Sequence, residues 1–333
     1  AMVDKVMYYE IACQCDGIWD RNTIFLADDL EGGGGDFYFY SDEIADGYVD
    51  EANTVKLIPE NYRIQKEYLG VTCDLGNPGD AAECRGTLIN TLNRTTPAPK
   101  QGALFVSYVG HAVKEVWASE NMFNKTANSQ LNNGPCLPIM LAMTCYEGSF
   151  HDFETPEVLA EASVRLAADP ITGQTRGSIA SFSPTGFGLV TGHDYLERGL
   201  MLAWFHQGID RLGASVSYAK QYLVDNAPAN KYLDLLDTFL LLGDPALQVK
   251  TEATCLAPTA FTMSGFSTQA AEGGAQVTWQ TADESDILGF NVLRRNTDFS
   301  REGSAGAYSA VNAELIPAAY MGLPQGSSYS YLD

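Results

Sequence analysis

Ala103-Leu-Phe-Val-Ser-Tyr-Val-Gly-His111 and Pro138-Ile-Met-Leu-Ala-Met-Thr-Cys145 decide how this chain is read. Each is a short, nearly unbroken apolar run that stops on one reactive side chain. Runs of this kind fit strands covered on both faces, as in a mostly parallel sheet. In such sheets, ligands and chemistry gather beyond the carboxyl ends of the strands. If the two strands are parallel neighbours, His111 and Cys145 emerge on one edge, and the 34 positions between them (145 − 111) suffice for one crossover.

The surrounding pattern predicts an α/β region. Strands are expected at Asn22–Ala27, Thr54–Ile58, Ala103–Val109, Ile139–Thr144 and Gly177–Phe182. Helices are expected at Asp42–Asp50, Gly86–Leu92, Pro156–Ala168, His193–Gln207 and Leu212–Val224. Strand–helix alternation implies a mostly parallel sheet flanked by helices. From about residue 258 the texture changes to Gly, Ser and Thr with short alternating runs such as Ala275-Gln-Val-Thr-Trp-Gln280, which reads as an all-β sandwich. The linker falls near Thr251–Pro258, giving domains at 1–252 and 253–333.

The 333 residues carry 42 acidic and 20 basic side chains, a formal charge of −22. That excess argues against nucleic acid, which needs a basic face. It suits an extracellular protein or one that attracts cations, and it also serves plain solubility. No apolar run reaches the length of a membrane span. Ala1-Met2 reads as a processing boundary, and a pro-segment or further domain outside this chain is expected. Seven cysteines suggest pairs plus one free thiol. Cys73 and Cys84, around a Gly/Pro/Asp loop, are the best candidate pair, and Cys145 is the natural odd one out.

A thiol becomes a nucleophile at neutral pH when a base takes or holds its proton, so His111 beside Cys145 would be a working pair. Gly110 would leave room for a substrate backbone, and Gly148 would let the chain turn so that N–H groups face an oxyanion. No Arg follows within Tyr146–Phe153, which excludes a phosphatase loop. The bland alternatives are a buried small hydrophobe for Cys145 and a loop residue for His111. Gly32–Gly35 lacks the spacing and the Lys of a phosphate cradle and reads as a mobile loop near the site. His151, His193 and His206 read as structural or surface residues.

Gly110-His111, Trp117-Ala-Ser119, Thr144-Cys-Tyr-Glu-Gly-Ser-Phe150, Ala27-Asp28-Asp29, Ser183-Pro-Thr185 and Leu242-Gly-Asp-Pro-Ala246 together resemble the gingipain family of caspase-like cysteine peptidases. The resemblance covers roughly residues 20–250. It implies a caspase-like fold, polypeptide substrates cut after Arg or Lys, and chemistry that needs no cofactor. It implies Cys145 as nucleophile, His111 as general base and acid, and an oxyanion hole from backbone N–H groups at Gly110, Ala112 and Cys145. The family usually has Gly after the catalytic His, where this chain has Ala112.

A looser alignment through Glu31-Gly-Gly-Gly-Gly35 and Ser41-Asp42 implies Glu31 as the carboxylate steadying His111 and Asp42 as the floor of a cation pocket. Asp28, Asp29 and Asp36 compete for either role, or offer hard oxygens to a structural Ca²⁺. Ser183, Pro184, Thr185 and Gly186 are expected to line the cleft. Trp117 and Phe187 would wall a pocket or pack in the core. Residues 258–333 resemble a fibronectin type III-like domain, cut within its last strands, with a spacing or anchoring role. The expected protein is secreted, with zymogen control. The competing reading is an inactive caspase-like adhesion or scaffolding module.

Overall fold

The structure is a computed structural model. It describes residues 2–333 except 14, 31–32, 51–52, 77, 95–101, 230, 257–260, 285–286, 298–304, 321–322 and 324. The chain divides into two units, Ala1–Cys255 and Leu256–Asp333.

The first unit begins with α1 (Met2–Ala12), β1 (Asn22–Ala27) and α2 (Phe37–Ala45). A small hairpin, β2 (Tyr48–Asp50) and β3 (Asn53–Val55), precedes β4 (Arg63–Tyr68) and α3 (Ala82–Leu92). Then come β5 (Phe105–Val109), the short strands β6 (Ala112–Val113), β7 (Val116–Trp117) and β8 (Phe123–Asn124), and α4 (Lys125–Ser129). The unit is completed by β9 (Ile139–Met143), α5 (Leu159–Arg165), β10 (Ala180–Pro184), α6 (Val190–Phe205), α7 (Leu212–Asn226), α8 (Leu235–Thr238), β11 (Phe239–Leu242) and α9, which runs Glu252–Leu256.

Six strands form one sheet in the order β11-β10-β9-β5-β1-β4, parallel except for β11. The central strands β1, β5 and β9 are buried throughout. Successive residues point to opposite faces, so each strand feeds two cores. Phe25, Phe105, Leu141 and Met143 join Ile44, Leu200 and Trp204 on the face of α2 and α6. Leu26, Val106, Tyr108 and Met140 join Leu88, Trp117, Phe123 and Leu159 on the face of α3, α4 and α5. This is the α/β caspase-like arrangement.

Both edges of the sheet depart from the expected set. The second expected strand, at Thr54–Ile58, is only the hairpin strand β3, and one edge of the sheet is formed by β4. Its sequence, Arg-Ile-Gln-Lys-Glu-Tyr, is too polar to read as a buried strand, yet charged side chains are what keep an exposed edge from pairing with another chain. At the other edge, β11 returns antiparallel from the end of α8.

Three disulfides brace this unit: Cys73–Cys84, Cys13–Cys136 and Cys15–Cys255, leaving Cys145 as the free thiol. The second unit is antiparallel. Strands β12 (Phe261–Ala271) and β13 (Gly274–Glu284) pair, the short pairs β14 (Gly289–Phe290) with β17 (Ile316–Pro317) and β15 (Leu293–Thr297) with β16 (Ala305–Ala310) follow, and β18 (Ser328–Leu332) closes on β13. Trp279 stacks on Tyr329 and meets Phe290 at 5.4 Å, forming its aromatic centre.

Candidate active site

Strand register builds the site. Val109 on β5 lies opposite Met143 on the parallel strand β9. Two residues further along each strand are His111 and Cys145, at matching positions and on the face of α2 and α6 that Val109 and Met143 share. The turn at Gly110 is tight: a Cβ there would collide with Asp28 and lie 2.5 Å from Tyr108 Oη, so only glycine fits.

Asp28, just past the end of β1, holds the histidine. Its Oδ2 lies 2.9 Å from His111 Nδ1 and accepts from the His111 backbone N–H at 3.0 Å. Asp28 is buried, and burial pushes its carboxyl up, against the lowering effect of the His111 hydrogen bonds. Phe37 packs edge-on against the imidazole at 4.9 Å, and Tyr108 Oη donates to the His111 carbonyl. The ring is thereby fixed with Nε2 facing away from the carboxylate. A Cβ at Gly34 would lie 3.1 Å from that nitrogen, so Gly34 lies directly beside it.

Cys145 is half-buried. Its thiol donates to the Gly188 carbonyl at 3.5 Å, and burial pushes its pKa up, so the sulfur rests protonated. The next residue, Tyr146, has φ +59°, a left-handed conformation that non-glycine residues adopt at a cost. The loop is held there by Tyr146 N–H to Gly186 O (3.0 Å), Gly148 N–H to Pro184 O (2.8 Å) and Ser149 Oγ–H to Thr185 O (2.9 Å). Glu147 is buried beneath, its carboxyl pushed up to about 7 by desolvation against the effect of Ser183 and Trp117 beside it. His193, buried under Gly188, has its imidazole pushed down to about 4 by burial and is neutral at neutral pH.

Several expected roles change. Glu31 lies outside the described residues, while Asp28 makes the contact assigned to it. Gly110 N–H points to Met143 O at 3.4 Å and so is engaged in the sheet. Ala112 N–H is differently placed. Because Ala118 N–H donates to His111 O, Ala112 and Trp117 form a non-hydrogen-bonded pair, and the Ala112 N–H faces away from β7. Asp42 is no open pocket floor: it accepts from Lys66 Nζ at 2.6 Å and Tyr68 Oη at 2.8 Å, so its charge is already matched. Trp117 is buried, stacked on Tyr108 at 4.6 Å, and packs in the core.

Ser183 and Pro184 are buried in β10, and Thr185 N–H donates to Thr238 O at 2.7 Å, so these residues support the nucleophile loop from behind. Gly186 is half-exposed and its carbonyl is taken by Tyr146. The exposed side chains nearby are Tyr146, Phe187 and Leu189. Asp28, Asp29 and Asp36 do not form a ready Ca²⁺ set. Asp28 is committed to His111, Asp36 caps α2 through Phe39 N–H, and the three are absent from the groups of converging ligand atoms among the described residues.

A buried acid thus orients a histidine at the carboxyl edge of a caspase-like sheet, with a free cysteine just past the matching end of the neighbouring strand, an arrangement suited to thiol chemistry. The profile of peptidase family C25 matches residues 1–250, and the chain belongs to that family. Gingipain R2 of Porphyromonas gingivalis is 26% identical over 203 residues, 58% of this chain and 26% of that protein. The chain thus spans about a quarter of the length of that relative. The crystal structure of the Arg specific cysteine proteinase gingipain R superposes with a TM-score of 0.59 at 19% identity, covering 99% of this chain and 71% of that one. The complex of Porphyromonas gingivalis RgpB pro- and mature domains gives 0.61 at 18% identity, covering 99% and 72%.

Proposed function

We propose that this chain is a secreted endopeptidase that works through Cys145, His111 and Asp28 and cuts after arginine or lysine. The observation that carries the reading is the matched strand-end placement of Cys145 and His111, with Asp28 on the far nitrogen of the ring. In this mechanism His111 Nε2 takes the thiol proton as sulfur attacks the scissile carbonyl. The oxyanion is met by backbone N–H groups, with those of Cys145 and Ala112 as candidates. His111 then gives its proton to the leaving amine as the C–N bond breaks. Water, deprotonated by the same imidazole, hydrolyses the thioester and restores the thiol.

The basic preference rests on the arginine specificity of gingipain R and on this chain's acidic balance. With Asp42 paired to Lys66, the acid that meets the cation would be another carboxylate of the same edge. Three disulfides support an oxidising compartment, hence secretion. The second unit is read as a fibronectin type III-like spacer or anchor. Zymogen control is proposed by analogy with the pro-domain complex.

The test is hydrolysis of peptidyl coumarylamides ending in Arg, Lys or Asp, with and without iodoacetamide, by the wild type and Cys145→Ala. The reading expects Arg or Lys turnover lost to alkylation and to the substitution. Turnover of none of the three, with folded protein, overturns it; turnover of the Asp substrate alone overturns the basic preference and keeps the nucleophile.

A further inference from the structure

A pocket of about 610 Å³ lies on the β6–β7 side of His111. Asp28, Asp29, His111, Ala112, Val113, Val116, Ala118, Ser119 and Glu120 line it. Neither the nucleophile loop, residues 145–149, nor the 183–189 segment contributes to it. That asymmetry has a chemical meaning. When the peptide bond breaks, the acyl half stays on Cys145 and the amine half departs with the proton from His111. A pocket bordered by the histidine and not by the cysteine therefore receives the amine half.

We infer that this pocket is a leaving-side subsite for a lysine or arginine at the first or second position after the cut; the inference rests on the peptidase reading above. Its chemistry matches a long cation. Val113 and Val116 offer aliphatic surface to methylenes, and such stems pack on apolar walls while the charged head seeks water or a carboxylate. Glu120 supplies the carboxylate, and no lysine or arginine lines the pocket among the described residues. Glu120 accepts from Ser119 Oγ at 2.7 Å through Oε1, which leaves acceptor capacity for a cation. Asp28 is excluded from the role because His111 occupies it.

The test uses the whole chain and internally quenched peptides with one unprimed half ending in Arg. They carry Lys, Ala or Glu at the first and second leaving-side positions, and the matching coumarylamide has no amino acid there. Wild-type kcat/KM should be about tenfold higher for Lys than for Ala at one of the two positions, the scale of one well-placed charge pair. Glu120→Lys should bring the Lys-to-Ala ratio, taken within that enzyme, to about one or below. A wild-type ratio near one at both positions overturns the inference without any variant, as does an unchanged ratio in a Glu120→Lys protein that melts like the wild type. If the wild type cuts the coumarylamide while showing no leaving-side preference, the subsite fails and the peptidase reading stands. If it cuts neither class of substrate, the peptidase reading fails and this inference with it.

Discussion

Asp28 Oδ2 engages His111 twice, at Nδ1 (2.9 Å) and at the backbone N–H (3.0 Å), so one buried oxygen sets both the ring's tautomer and its place at the strand end. A carboxylate in this position keeps the proton on Nδ1 and leaves Nε2 free to act as base.

Asp28→Asn should therefore lower kcat by about 10²- to 10⁴-fold, because the amide can donate to Nδ1 and favour the wrong tautomer. KM should change little, since Asp28 is buried under the ring. Steady-state kinetics beside a thermal melt checks this; a loss of activity explained by unfolding would count against the orienting role.

Tyr146 stores strain next to the nucleophile. Tyr146→Gly removes the steric penalty of φ +59° and should leave stability within about 1 kcal/mol of the wild type. Tyr146→Val, β-branched, should cost about 1–3 kcal/mol and displace Cys145. Denaturant midpoints together with the rate of Cys145 alkylation distinguish the two.

Burial of Glu147 predicts a definite pH dependence. Its carboxyl has a pKa raised from 4.5 to about 7 in the folded chain, so the folded state binds the extra proton in that window. The stability contribution is present below pH 4.5, falls as pH rises to about 7, and is flat beyond. Glu197, hydrogen-bonded to Ser107 and raised to about 8, adds a slope of the same sign. Glu147→Gln should flatten the melting temperature against pH specifically between 4.5 and 7. An unchanged difference between variant and wild type across that range would refute the assignment.

Cys15–Cys255 closes the longest loop of the three bridges, 240 residues. Replacing both cysteines by Ala should cost about 2–5 kcal/mol of unfolding free energy. Cys13, Cys136, Cys73 and Cys84 are buried, so a mild reductant should keep Cys145 reduced without opening those two bridges. Thiol counting under native conditions, before and after the reductant, measures this.

What the sequence determined by itself is local in origin. The apolar runs ending at His111 and Cys145, the Cys73–Cys84 loop and the change of texture near residue 258 each depend on short-range pattern. The tertiary structure decided what depends on which strands become neighbours. Asp28 holds His111 because β1 lies beside β5, across a separation of 83 residues, and no local pattern ranks it above the other acids that follow β1. Asp42 is claimed by Lys66 on β4, a strand whose polar sequence hid it, and Trp117 is claimed by the Tyr108 ring. Side-chain periodicity is a property of a few residues, but pairing of charges, hydrogen bonds and rings is a property of the sheet order, which exists only once the crossovers are made.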